Sequence, residues 1–131
     1  MKQAVLLMAY GSPRSLEEVE AYYTHIRGGR RPSPELLAEL VERYRAIGGR
    51  SPLPEITARQ AAALEEALRR RGHPVPVRVG MKHSAPFIAD AVQALAAAEV
   101  THLVGLVLAP HYSRMSIGQY VAAAEAARPA G

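Results

Sequence analysis

Cysteine is absent from this chain. That removes disulfides, thiolate metal sites and cysteine nucleophiles, so any metal here must use His, Glu, Asp, Tyr or main-chain oxygen. Lysine is nearly absent too: only Lys2 and Lys82 occur, and the formal charge of +4 is built mainly from arginine. Arginine forks suit planar, bidentate recognition of carboxylate or phosphate. The aromatics, six tyrosines and one phenylalanine, do not follow the basic residues except around Tyr22-Tyr23 and Arg43-Tyr44. A nucleic-acid surface needs a basic stripe with interleaved aromatics, so nucleic acid is not expected as a partner.

Long apolar runs are also missing. None approaches the roughly 18 residues of a membrane span. A single Lys2 precedes six apolar residues with no small-residue cleavage site, so a secretory leader is not expected and the cytoplasm is the default location. No phosphate loop, repeat or low-complexity segment appears. Gly28-Gly29 and Gly48-Gly49 lack both the spacing and the strand-to-helix context of a nucleotide fingerprint. Hydrophobic content of 49% against 21% charged fits one globular domain over 131 residues.

Three apolar runs are present, and each ends abruptly in functional side chains. Ala4 to Ala9 runs into Tyr10-Gly11-Ser12-Pro13. Val75 to Met81 runs into Lys82-His83-Ser84-Ala85-Pro86. Leu103 to Ala109 runs into Pro110-His111-Tyr112-Ser113-Arg114. The pattern predicts strands over 4–9, 75–81 and 102–108. It predicts helices over 15–27, 33–47, 56–71, 86–98 and 116–127. Ser15 with Glu18 reads as a capping box, and Ser33-Pro34 as a helix start with proline in the first turn. Gly48-Gly49 and Gly72 read as helix ends. Ile56, Leu64 and Leu68 give the third helix a narrow apolar face. Pro76 points to an edge position for the start of the second strand. The first and third strands are apolar throughout, as strands covered on both faces are.

Strands alternating with helices imply a three-layer α/β fold, a parallel sheet with helices on both faces. In such sheets the ligand crevice lies beyond the carboxyl ends of the strands. Tyr10, His83 and His111 are therefore expected on one rim. A turn accounts for Gly11 and Pro13 but leaves the Tyr10 phenol open to a role on a hard metal or a ligand. His83 and His111 are each open to a structural role or to one as ligand or base, since neutral imidazole binds metals and carries protons near pH 7. His73 and His102 read as structural or solvent-facing, and His25 stays undecided. The run Arg27-Gly28-Gly29-Arg30-Arg31 is either a solvated cluster or an anion site.

Five segments together resemble ferrochelatases, most closely the bacterial coproporphyrin type. They are Met8-Ala9-Tyr10-Gly11-Ser12-Pro13, Tyr22-Tyr23-Thr24-His25-Ile26-Arg27, Arg43 to Leu53, Gly80-Met81-Lys82-His83 with Pro86-Phe87-Ile88, and Leu106 to Ser113. They stand in family order and cover nearly the whole chain. The resemblance implies an enzyme that inserts ferrous iron into a porphyrin, coproporphyrin III or protoporphyrin IX, in heme biosynthesis. Iron is then a substrate, and no permanently bound cofactor is expected. It also implies that residues 1–131 form the N-terminal half of a two-domain fold with the porphyrin cleft between the halves. The family's catalytic His and Glu belong to the other half, so no catalytic residue maps here and His83 is the candidate. Tyr10 resembles the tyrosine beside the iron of the metalated product. Arg27, Arg43, Tyr44, Ser51 and Tyr120 resemble residues around the tetrapyrrole and its propionates. His83 resembles a histidine on the metal side of the cleft. One departure is Gly28, where many relatives carry a second basic residue. Two other readings fit the residues: a compact homodimeric cobalt-chelatase-like enzyme, and a tetrapyrrole- or metal-binding module without turnover.

Overall fold

The computed structural model describes residues 1–108 and 117–129. The first apolar run forms β1 (Gln3–Ala9). A 3-10 turn (Leu16–Glu18) leads into α1 (Val19–Ile26), followed by α2 (Pro34–Ala46) and α3 (Leu53–Arg70). Then come β2 (Val77–Met81), α4 (Ile88–Ala97), β3 (His102–Val107) and α5 (Ile117–Ala126). Among the described residues the sheet has three strands in the order β2-β1-β3, all parallel. Among these residues β2 lies at an edge; Pro76 precedes it, and the Pro76 carbonyl accepts from Val5 N just outside the ladder.

Alternation along β1 sends Leu6 and Met8 to one face and Leu7 to the other. Leu6 and Met8 pack with Ile88, Ala91, Val92 and Tyr120 of α4 and α5. Leu7 packs with Val77 and with Ala61, Leu64 and Leu68 of α3. The three-layer arrangement follows from these two cores. Gly80 lets α4 approach β2, since a Cβ there would meet Ile88 Cα and Leu6 Cδ1 at 3.1 Å.

Local signals placed most helix ends. Ser33 Oγ accepts from Leu36 N at 3.2 Å, with Pro34 opening α2. α2 stops two residues before Gly48, and α3 two before Gly72.

Three expectations need correction. Ser15 makes no side-chain cap bond. Glu18 reaches back instead to Arg14 N at 3.1 Å, because the chain opens with a 3-10 turn rather than an α-helix. The buried face of α3 is Thr57, Ala61, Leu64 and Leu68, not Ile56, which is 43% exposed. Thr57 is accommodated because its hydroxyl donates to Leu53 O at 2.8 Å. β3 is not covered on both faces: Val104 is 58% exposed and Leu106 45%. They pair with Val5 and Leu7 on the α3 face, but α3 packs over β2 and β1.

Candidate functional site

β1 and β2 run parallel in a register that pairs Ala9 with Met81. The ladder continues past both strands: Lys82 N donates to Ala9 O and His83 N to Tyr10 O, each at 3.0 Å. This fixes Tyr10 beside His83 on the carboxyl rim. Their rings meet edge-on with centroids 4.7 Å apart. Two of the three residues expected on this rim are therefore together. His111 lies outside the described residues.

The turn after β1 is built tightly. Gly11 has φ +97°, and a Cβ on it would run into the Ser84 hydroxyl and lie 3.3 Å from Met81 Cβ. Ser84 Oγ accepts from Ser12 N at 3.1 Å. Tyr22 of α1 donates its hydroxyl to Gly11 O at 3.1 Å. The Ser12 hydroxyl is buried beside this network and has no partner among the described residues.

α1 thereby brings a residue to the rim that sequence left undecided. His25 lies three residues beyond Tyr22, on the same helix face. Its Nδ1 stands 2.8 Å from His83 Nδ1. Phe87 flanks His25 with ring centroids 5.2 Å apart, so Tyr10, His83, His25 and Phe87 form a continuous row of rings. The usable signal was the Tyr22–His25 spacing, but it acquires meaning only once Tyr22 is known to anchor the helix to the turn. Lys82 was also missed. Its ammonium lies 5.3 Å from the Tyr120 ring centroid and 5.9 Å from that of Tyr10.

Burial sets the electrostatics. It pushes the His83 imidazole down to about 4, with help from the neighbouring His25 and Lys82. The ring is therefore neutral at pH 7 and keeps a lone pair. Burial also lowers the Lys82 ammonium from its ordinary value. It raises the Tyr22, Tyr44 and Tyr120 phenols, which stay protonated donors.

The remaining candidates form a second group. Arg27 caps the end of α1 and Arg43 lies in the last turn of α2, both exposed. Tyr44 is half-buried, with its ring 6.4 Å from Tyr23. Ser51 Oγ accepts from Leu53 N at 3.1 Å, which ties it to the start of α3. Tyr120 lies in the core against α4, 4% exposed, with the Lys82 ammonium over its ring. Among the described residues, no three His, Cys, Asp or Glu side chains gather as a metal cluster.

This parallel α/β domain of the open-sheet class carries a phenol, two imidazoles and a half-buried ammonium at its carboxyl rim, where sheets of this class place their ligand crevice. The ferrochelatase family model matches residues 2–131. The coproporphyrin III ferrochelatase of Bacillus mycoides (strain KBAB4) is 51% identical over 126 residues, 95% of this chain and 40% of that protein. Its namesake from Halalkalibacterium halodurans is 51% identical over 121 residues, 91% of this chain and 39% of that protein. Coproporphyrin III ferrochelatase 1 of Bacillus anthracis is 50% identical over 126 residues, with 95% and 40% covered. This chain belongs to the ferrochelatase family. It spans about 40% of the length of these curated relatives.

Proposed function

We propose that this chain forms one wall of a crevice in which ferrous iron is inserted into a porphyrin, coproporphyrin III in the first instance, for heme biosynthesis in the cytoplasm. The second wall comes from a further α/β half. The observation that carries the reading is the Tyr10–His83 contact on the carboxyl rim, in a chain about half identical to named coproporphyrin III ferrochelatases over 95% of its length. Among the described residues no helix is long and apolar enough to cross a membrane, which is compatible with a cytoplasmic site.

Insertion expels two pyrrole protons as iron enters. A neutral imidazole close to the macrocycle can accept one, and His83 is neutral across physiological pH. Tyr10 faces the metal as a hard oxygen donor. Arg27, Arg43, Tyr44 and Ser51 hold the propionates, with arginine forks matched to carboxylates. Tyr120 acts from the core, its ring backing Lys82 and the tetrapyrrole edge. Fixing the propionates orients the ring and lets binding energy at its periphery distort the reacting centre.

The test is anaerobic loss of coproporphyrin III fluorescence on adding ferrous iron. This chain alone is expected to turn over little, and the chain joined to the second half of a relative to turn over readily. No porphyrin binding and no turnover in the joined protein would overturn the reading. Full turnover by the chain alone would place the proton acceptor in this half, on His83.

A further inference from the structure

Metal insertion as proposed uses His83 but gives His25 nothing to do. Yet the two rings, 58 residues apart in sequence, face each other Nδ1 to Nδ1 at 2.8 Å. Both are held from outside, His25 by Phe87 and His83 by Tyr10. The inward-facing nitrogens are the positioned feature.

We propose that His25 and His83 form a two-imidazole chelate for a divalent transition ion of borderline softness, a holding site on the rim of the crevice. Only the ion's role as cargo rests on the chelatase reading; the site itself does not.

The geometry is close to what an ion requires. Metal–nitrogen bonds of about 2.0–2.1 Å, meeting at square-planar to tetrahedral angles, separate two nitrogens by about 2.9–3.4 Å. The rings need to part by only a few tenths of an ångström. Without an ion, one Nδ1 carries the hydrogen and the other accepts it. When an ion enters, that hydrogen leaves Nδ1 and the same ring is reprotonated on Nε2. Each imidazole then coordinates through Nδ1 and keeps one proton, so two neutral rings release none.

Imidazole favours iron, zinc, nickel and copper over magnesium and calcium. No third His, Cys, Asp or Glu joins the pair among the described residues. Water fills the other positions, and the Lys82 charge felt at His83 opposes the ion further. Binding is therefore weak and exchangeable, which suits an ion in transit, whereas structural zinc sites use four protein ligands. Access is open. A groove of about 900 Å³ borders His25 and carries Glu17 and Glu20, with Arg31 4.0 Å from Glu20. Carboxylates lining it favour cations.

The experiment titrates the 131-residue chain, labelled with ¹⁵N-histidine, with Zn²⁺ at pH 7.5. Zn²⁺ is chosen because it has no redox chemistry. One ion is expected to bind reversibly, shifting Nδ1 of both His25 and His83. His25→Ala and His83→Gln should each weaken it about tenfold or more, the order seen when a metal site loses a supporting group. His73→Ala and His102→Ala should leave it unchanged, and circular dichroism checks that every variant is folded. Absence of saturable binding, a silent His25 resonance, or unchanged affinity in folded His25→Ala would each overturn the proposal. Zn²⁺ held by both histidines in a protein whose joined form never metalates porphyrin would remove the chelatase reading and keep the ion site. Zn²⁺ ignored by a protein whose joined form does metalate porphyrin would do the reverse.

Discussion

Tyr22 donates its hydroxyl to the main-chain carbonyl of Gly11 across 3.1 Å, a buried bond that fastens α1 to the turn after β1. Burial raises this phenol well above its ordinary range, so it stays a donor at every working pH. The bond also fixes α1 against the turn, and with it His25, one helical turn on, against His83. Tyr22→Phe keeps the ring and strands the carbonyl. It should cost about 1–3 kcal/mol, the range for leaving a buried polar group unsatisfied. Urea denaturation reads the loss. A change below about 0.5 kcal/mol, the scale of a neutral surface substitution, would mean the bond does not fasten the helix.

Gly11 is constrained twice, by its φ of +97° and by the Ser84 hydroxyl in the space a Cβ would take. Gly11→Ala should destabilise by roughly 1–3 kcal/mol from backbone strain, with the clash in addition. Ser84→Ala alone removes the acceptor for Ser12 N. In the double variant it also removes the obstacle, so the double should be less destabilised than the sum of the singles. Simple additivity by thermal or urea unfolding would show that strain alone decides this turn.

Much of this arrangement is readable in the sequence because it depends on local pattern. The apolar runs end where functional side chains begin, and parallel pairing of β1 with β2 then puts Tyr10 and His83 side by side. His25 was not readable as a site residue, since its partner lies on another element and is reached through the Tyr22–Gly11 bond. Thr57 was hidden by its polarity. Its hydroxyl is satisfied within its own helix, so it occupies a core position that Ile56, one residue earlier, appeared to hold by hydrophobicity. An apolar strand is expected to be covered, but composition does not say by which segment. β3 shows this in Val104 and Leu106, which no described element buries. Tyr120 illustrates the converse, a resemblance-derived substrate residue that also fills the core between the sheet and α4.

The lowered His83 value makes stability depend on pH. In the folded chain the imidazole titrates at about 4, below the ordinary histidine value of 6.5. Between these values the unfolded chain binds the proton and the folded chain does not. Stability therefore rises with pH across this window and falls as acid is added, with no further contribution from this group above about pH 7.5. Urea unfolding at several pH values between 4 and 7.5, in a chelator to exclude metal, measures the slope. His83→Gln should flatten it. An unchanged slope in that variant would assign the dependence to other groups.

Tyr10 gives the sharpest test of the rim. It is 44% exposed, with its ring edge-on to His83 and the Lys82 ammonium 5.9 Å from its centroid. Tyr10→Phe retains the ring, so the fold should hold within about 0.5 kcal/mol. Porphyrin binding in the joined two-half protein should change by no more than about 1 kcal/mol, the typical worth of one hydrogen bond. The iron–porphyrin product should respond differently. A phenol oxygen is a hard donor that suits ferric iron, so Tyr10 would hold the product iron and a phenylalanine in its place would not. The visible spectrum of the product complex should shift, and product release should change more than iron entry. If the spectrum is unchanged, Tyr10 is a strand-end residue that packs against His83, and the metal side of the crevice then rests on the histidines alone.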